Sequence, residues 1–213
     1  MNNIIKAAKL DFSLVKPYWW NTAFVMLFPV VFSVMNKSLV YGVSFTMCFI
    51  GMTTSYTFSV SEKNGMERLY GILPVPKKYM VIGRYLYNCA MGLSALLVSL
   101  IFYPIVLRAA VEIEVTSEEV ITSALTGIVM FTLYTVFTLP GYYKFGAIKG
   151  RFFGFIPVAG YLALLWLTSE VNIEIPPIFD NPDVFVSAVL SACIIAFFIS
   201  AFASVRIVKN KEV

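Results

Sequence analysis

The chain has 213 residues, 59% of them hydrophobic and only 13% charged, with 16 Lys and Arg, 12 Asp and Glu, and no His. Residues 17–36, 38–61, 85–107, 120–143, 152–169 and 184–205 contain no Asp, Glu, Lys or Arg, and each meets the roughly 20 apolar residues that a bilayer crossing requires. A small soluble core cannot hide six such segments, so composition excludes a soluble domain and predicts an all-α polytopic membrane protein with six transmembrane helices.

Charge orients those segments. Lys6, Lys9, Lys16, Lys63, Arg68, Lys77, Lys78, Arg84, Lys144, Lys149, Arg151, Arg206, Lys209 and Lys211 all fall in the tails or the even-numbered connections. The opposite face carries Lys37 and Arg108 against Glu112, Glu114, Glu118, Glu119, Glu170, Glu174, Asp180 and Asp183. The positive-inside rule then places both termini in the cytoplasm. The formal charge of +4 thus reports orientation and attraction to anionic lipid rather than binding of nucleic acid.

Absences narrow the function. With no His, and no ionisable side chain inside the six runs, intramembrane metal sites and the usual general bases are lacking, which excludes zinc proteases and His-dependent lipid enzymes. A self-contained ion-driven carrier would keep a titratable group near the midplane, so that class is disfavoured too. No G-x-x-x-x-G-K-[ST] phosphate loop occurs, so ATP energy must come from a separate subunit. Cys48, Cys89 and Cys193 lie within spans, unpaired in spacing, and read as small hydrophobes.

In chain order, residues 1–16 mix Ile4, Ile5, Ala8, Leu10, Phe12 and Val15 with Lys6, Lys9, Asp11 and Lys16, which predicts an amphipathic helix on the inner leaflet. The segment lacks the apolar block of a cleaved leader, and Tyr18, Trp19 and Trp20 mark the interface. Asn36, Lys37 and Ser38 leave room only for a tight turn, which makes the first two spans an antiparallel hairpin. Thr46, Thr53 and Thr57 share a helical face of span two, where they line a polar pathway or bond to neighbouring helices.

The cytoplasmic connection 62–84 reads as helix, break, helix. Met66, Leu69, Tyr70 and Leu73 form one apolar stripe, with Lys63 and Glu67 on another face; Pro74 and Pro76 end it. Lys77, Lys78 and Arg84 by themselves suit snorkelling toward lipid phosphates. The outer connections 108–119 and 170–183 are short and acidic, too small for a receptor domain. Glu118 and Glu119 are the only clustered acids and have no basic partner nearby, which argues against an enzyme. Gly146, Gly150 and Gly154 recur every four residues, a spacing that permits close helix approach, and Pro29, Pro104, Pro140 and Pro157 are candidate kinks.

Glu62, Lys63, Asn64 and Gly65, followed by Leu73, Pro74, Lys77, Lys78, Arg84, Tyr85 and Leu86, resemble the corresponding loop of type-two ABC transporter permeases, in their small six-span bacterial branch. Lys9, Asp11 and Phe12 are similar to that family's leading helix. The resemblance implies a single transmembrane domain over 1–213 in the bacterial cytoplasmic membrane. It also implies a coupling helix over 62–73 that docks on an ATP-binding subunit, with Met66, Leu69, Tyr70 and Leu73 as anchors and Lys63, Glu67 and Arg68 as polar partners beside Glu62 and Pro74. ATP and Mg would sit on that partner, and this chain would bind no cofactor of its own. A second permease chain, identical or homologous, would complete the exporter. Small permeases of this kind resemble exporters of amphipathic peptides, the phenol-soluble-modulin exporters among them. Two other readings share the absence of intramembrane charge: a passive, holin-like pore and an accessory sensor subunit.

Overall fold

A computed structural model of the chain describes residues 3–66, 76–157, 159–160 and 182–210. Among them the chain is all-helical: α1 (Asn3–Val15), α2 (Trp19–Val25), α3 (Leu27–Met35), α4 (Leu39–Lys63), α5 (Lys77–Val111), α6 (Ser117–Gly150) and α7 (Pro182–Asn210), with 3₁₀ turns at Lys16–Tyr18 and Arg151–Gly154. Four helical stretches are long and apolar enough to cross a membrane: Asn3–Met35, Lys77–Val111, Ser117–Pro157 and Asp183–Asn210. The chain is therefore an all-α polytopic membrane protein. Most of the fifth expected span, 152–169, lies outside the described residues.

The helix α4 is the centre of the bundle. Its 25 residues rise about 37 Å at 1.5 Å each, enough to cross a bilayer, yet it is more polar than the four stretches above. It packs on α3, α5 and α6 and buries residues on every turn from Leu39 to Ser61. A helix that meets protein on most sides can carry threonines that lipid would penalise. By contrast, α7 turns Ile194, Ile195, Phe198, Ile199 and Phe202 outward.

Two apolar clusters fill the bundle. Toward the acidic end, Leu39, Val43, Met47, Ile50, Leu96, Tyr103, Leu107 and Phe131 pack together. Toward the basic end, Phe58, Val81, Tyr85, Leu139, Tyr142 and Ala147 do so. Between them runs a polar layer: the Thr54 hydroxyl donates to the Asn88 carbonyl oxygen at 2.7 Å, and the Asn88 amide donates to Thr135 Oγ1 at 2.9 Å. This chain joins α4, α5 and α6 and satisfies three buried polar side chains at once.

Several helix boundaries differ from the uncharged runs. The first membrane helix breaks at Met26, because Pro29 lacks an N–H and its ring crowds the carbonyl four residues back, that of Val25. The helix α5 begins at Lys77, eight residues before its uncharged run, directly after Pro76. Lys37 turns the α3–α4 hairpin in a left-handed conformation, φ 52°, while the Ser33 hydroxyl donates to the Ser38 carbonyl across it. Gly146 interrupts α6 at φ 80° and ψ −178°, and the glycines after it sit where the chain packs back on the part before it: a Cβ on Gly150 would lie 2.8 Å from Tyr142 Cα, and Gly154 lies near Thr138.

Close approach of α4 to α6 depends on Gly51, where an added Cβ would sit 2.7 Å from Tyr134 Cβ. Gly51→Val should lower the thermal unfolding midpoint in detergent by several degrees. Gly160→Val, at a position where an added Cβ meets nothing within 4 Å among the described residues, should leave the midpoint unchanged in the same assay.

Candidate functional site

The basic end of the bundle collects a set of charged and aromatic side chains from several helices. Its organising residue is Arg84, on the first turns of α5 and only 7% exposed. Asp11 of α1, 3% exposed, receives it in a two-pronged pair: Arg84 Nε donates to Oδ2 at 3.1 Å and Nη2 donates to Oδ1 at 3.0 Å. Nη2 also donates to Ser61 Oγ of α4 at 3.3 Å. The guanidinium lies 4.3 Å from the Phe58 ring centroid and 5.8 Å from that of Tyr143, so helices α4 and α6 supply π faces to a cation held away from water.

This arrangement adds bundle contacts to the surface helix expected at α1. Rather than only resting on lipid, α1 packs on α5 and α4, with Asp11 and Val15 buried while Ile5 and Phe12 face outward. Gly83 permits it: a Cβ there would lie 2.6 Å from Ala7 Cβ and 2.9 Å from the Ile4 carbonyl. Arg84 therefore does not snorkel to lipid. The signal in the sequence was that Asp11 is the sole acid before Glu62, and one buried cation needs such a partner. Tyr18 stacks on Tyr56 of α4 at 5.6 Å, and Trp20 is fully turned outward, as an interfacial ring would be.

Next to this pair, α4 ends on a glycine cap. Gly65 adopts φ 59° and its amide donates to the Glu62 carbonyl at 3.1 Å, while the Asn64 amide donates to Val60; the left-handed residue stops the helix. Glu62 and Lys63 thus belong to the last turn of α4, and a separate helix could start only at Met66. The Asn-Gly pair carried that stop signal in the sequence. Glu67, Arg68, Leu69, Tyr70, Leu73 and Pro74 of the expected coupling helix lie outside the described residues. Glu62 reaches across to α6, where its Oε2 accepts from the Ala147 amide at 2.8 Å. A cavity of about 310 Å³ opens among these ends, lined by Phe58, Glu62, Lys77, Arg84, Tyr142 and Val208 among others.

The threonine face of α4 is engaged within the chain. Thr46 is bonded to the Tyr103 hydroxyl and to the Gly42 carbonyl; Thr57, fully buried, donates to the Thr54 carbonyl; and half-buried Thr53 donates to Ile50. Among the described residues, Thr54, Asn88 and Thr135 also link helices, as does Tyr85, whose hydroxyl bonds Ser200 and Ser204 of α7 at 2.7 and 2.8 Å. At the acidic end, Glu119 Oε1 accepts from the Leu39 amide at 2.8 Å and from the Ser38 hydroxyl at 3.3 Å. That carboxylate caps α4 rather than serving chemistry.

Removing one partner of a buried ion pair strands the other, at a cost of about 3–5 kcal/mol. Asp11→Ala and Arg84→Ala should each lower the unfolding midpoint in nanodiscs strongly, and Arg84→Lys should restore little because a lysine cannot form the fork. Asp11→Leu combined with Arg84→Met should lie nearer the wild type than either alanine variant.

A family model described as "ABC-2 family transporter protein" matches residues 8–209, a stretch that begins inside α1 and ends at the last turn of α7. No curated protein and no solved structure is similar to the chain at a significant level. The matched region takes in Asp11, Arg84, Glu62 and every helix described above, so the chain belongs to the ABC-2 family of transporter proteins, as a membrane permease of an ABC transporter.

Proposed function

We propose that the chain is the permease half of an ATP-driven exporter in the bacterial cytoplasmic membrane. It crosses the bilayer six times with both ends inside, pairs with a second permease chain, and moves an amphipathic peptide or other hydrophobic compound outward. The energy comes from a separate subunit that holds ATP and Mg and docks on the 62–73 segment. Family membership supports the ATP-binding partner, as does the absence of a phosphate loop from the sequence.

The observation that carries the reading is the fixed geometry on both sides of that segment. On one side α4 descends unbroken to Lys63, with Ser61 held by Arg84 and Glu62 held by Ala147. On the other side α5 starts at Lys77, where the Tyr79 amide donates to the Pro76 carbonyl at 2.9 Å. A segment clamped between two membrane helices passes any push from a docked partner into both of them. The aromatic residues, 16% of the chain, suit an apolar path between two permease halves.

Purification of the chain from its native membrane should bring down a phosphate-loop subunit with ATPase activity. The Arg68→Glu, Leu69→Asp double variant should lose that subunit and reduce ATPase activity in the eluate at least tenfold. A lone oligomer without ATPase, and an ion leak from liposomes without nucleotide, would replace the exporter with a passive pore. A stable partner lacking ATPase motifs would favour an accessory sensor.

A further inference from the structure

We propose that the cavity between α3, α4 and α5 binds an apolar molecule that carries a neutral N–H or O–H donor. That such a compound is exported rests on the reading above; the binding itself does not.

The cavity, of about 330 Å³, lies beside the break at Met26, with Met26 and Val30 on one wall and Ala95 of α5 on another. Leu27 and Phe102, which also border it, are exposed on the outside of the bundle, so within a bilayer its mouth opens sideways to lipid. Among the described residues no charged side chain lines it. Four hydroxyls do, those of Thr46, Ser94, Ser99 and Tyr103, and Thr46, Ser99 and Tyr103 are at most 5% exposed. A mainly apolar pocket with a few fixed polar groups is the form that small-ligand sites take, the polar groups setting specificity.

A hydroxyl has one proton to give and two lone pairs with which to receive. Ser94 gives its proton to the Met91 carbonyl, and Ser99 gives its own to the Leu96 carbonyl. Thr46 donates to the Gly42 carbonyl at 2.9 Å, since a carbonyl can only accept. The contact between Thr46 Oγ1 and Tyr103 Oη is then made with the Tyr103 proton. Turning that proton toward the cavity would set two oxygen lone pairs against each other at hydrogen-bond distance. All four protons are committed, and the hydroxyls offer the cavity lone pairs alone. A guest that fits it brings a donor. It brings no full charge, because no carboxylate is there to balance a cation withdrawn from water.

Depth separates this guest from membrane lipid. Thr46 lies seven residues into α4 from Leu39, about 10 Å from the acidic end at 1.5 Å per residue, inside the hydrocarbon of a bilayer whose core is roughly 30 Å thick. Lipid headgroups stay outside that layer, and saturated or unsaturated acyl chains reach it without an N–H or O–H. The fit is to a hydrophobic compound or peptide that takes its donor down with it, such as an indole or an amide N–H.

The test measures binding to the full chain, purified from its native membrane into nanodiscs, by equilibrium dialysis with protein-free nanodiscs as the reference. Three bicyclic probes of similar size are compared: indole, which has a donor; 1-methylindole, which has none; and 1-indanone, which has an acceptor only. The wild type should bind indole saturably and the other two about tenfold more weakly, the worth of one hydrogen bond. Tyr103→Phe keeps the ring that packs against Gly42 but removes the acceptor, and should erase most of the preference for indole over 1-methylindole. Thr46→Val removes the group that holds the Tyr103 proton, and should strengthen 1-indanone binding about tenfold, a gain that loss of packing does not produce. Ala95→Phe, which fills the cavity, should abolish saturable indole binding. No saturable indole binding to the wild type, equal binding of the three probes, or saturable indole binding retained in Ala95→Phe would each overturn the inference and leave the cavity to acyl chains or water. An unchanged preference in Tyr103→Phe or unchanged 1-indanone binding in Thr46→Val would also overturn it, and if one of these two variants does not fold, the other decides. Co-purification of an ATP-binding subunit is scored separately: its failure would remove the exporter reading and leave the binding site standing.

Discussion

A single guanidinium, Arg84, largely withdrawn from water, sets the arrangement of the basic end. An unpaired charge in that position would cost far more than the bundle's packing could offset, so Arg84 requires a carboxylate, further acceptors and π faces around it. Asp11 provides the carboxylate, Ser61 an acceptor, and Phe58 and Tyr143 the faces. These groups come from α1, α4 and α6, and Arg84 itself from α5. Satisfying one charge therefore draws four helices to one point. It also explains why α1 lies against the bundle with its acidic residue inward and its apolar Ile5 and Phe12 outward.

The rest of the interior follows the rule that polar groups in a membrane must find partners inside the protein. The Thr54–Asn88–Thr135 chain meets it at mid-height, and Tyr85 with Ser200 and Ser204 meets it against α7. The ends of the central helix pair are closed by exchange, Glu119 of α6 capping the start of α4 and Glu62 of α4 capping the resumed end of α6. Because α4 and α6 run in the same direction, each carboxylate falls beside the amide that lacks a partner. At Gly146 the straight run of α6 ends and the chain packs back on it, with Gly150 against Tyr142 and Phe153 against Phe145.

Membership in the ABC-2 family gives these features a setting. Membership implies an ATP-binding partner for the permease. The Glu62 and Arg84 contacts lie on the two helices that flank residues 64–76.

Composition and charge alone determined the class, the membrane environment and the expected orientation, because hydropathy and the distribution of Lys and Arg act residue by residue and need no neighbours. The tight α3–α4 turn was legible for the same local reason, and the cap at Asn64-Gly65 was present as a dipeptide signal. The partners of the charged residues were not legible. Asp11 and Arg84 are 73 residues apart, and Glu62 and Ala147 are 85 apart, and spacing along a chain says nothing of which helices pack side by side. A threonine stripe on α4 reads the same whether it lines a path or bonds to a neighbour, and a glycine every fourth residue reads the same whether it seats a helix or breaks one. Tertiary packing decided those cases, because whether a polar group is paired, or a glycine's φ positive, depends on what the fold sets opposite it.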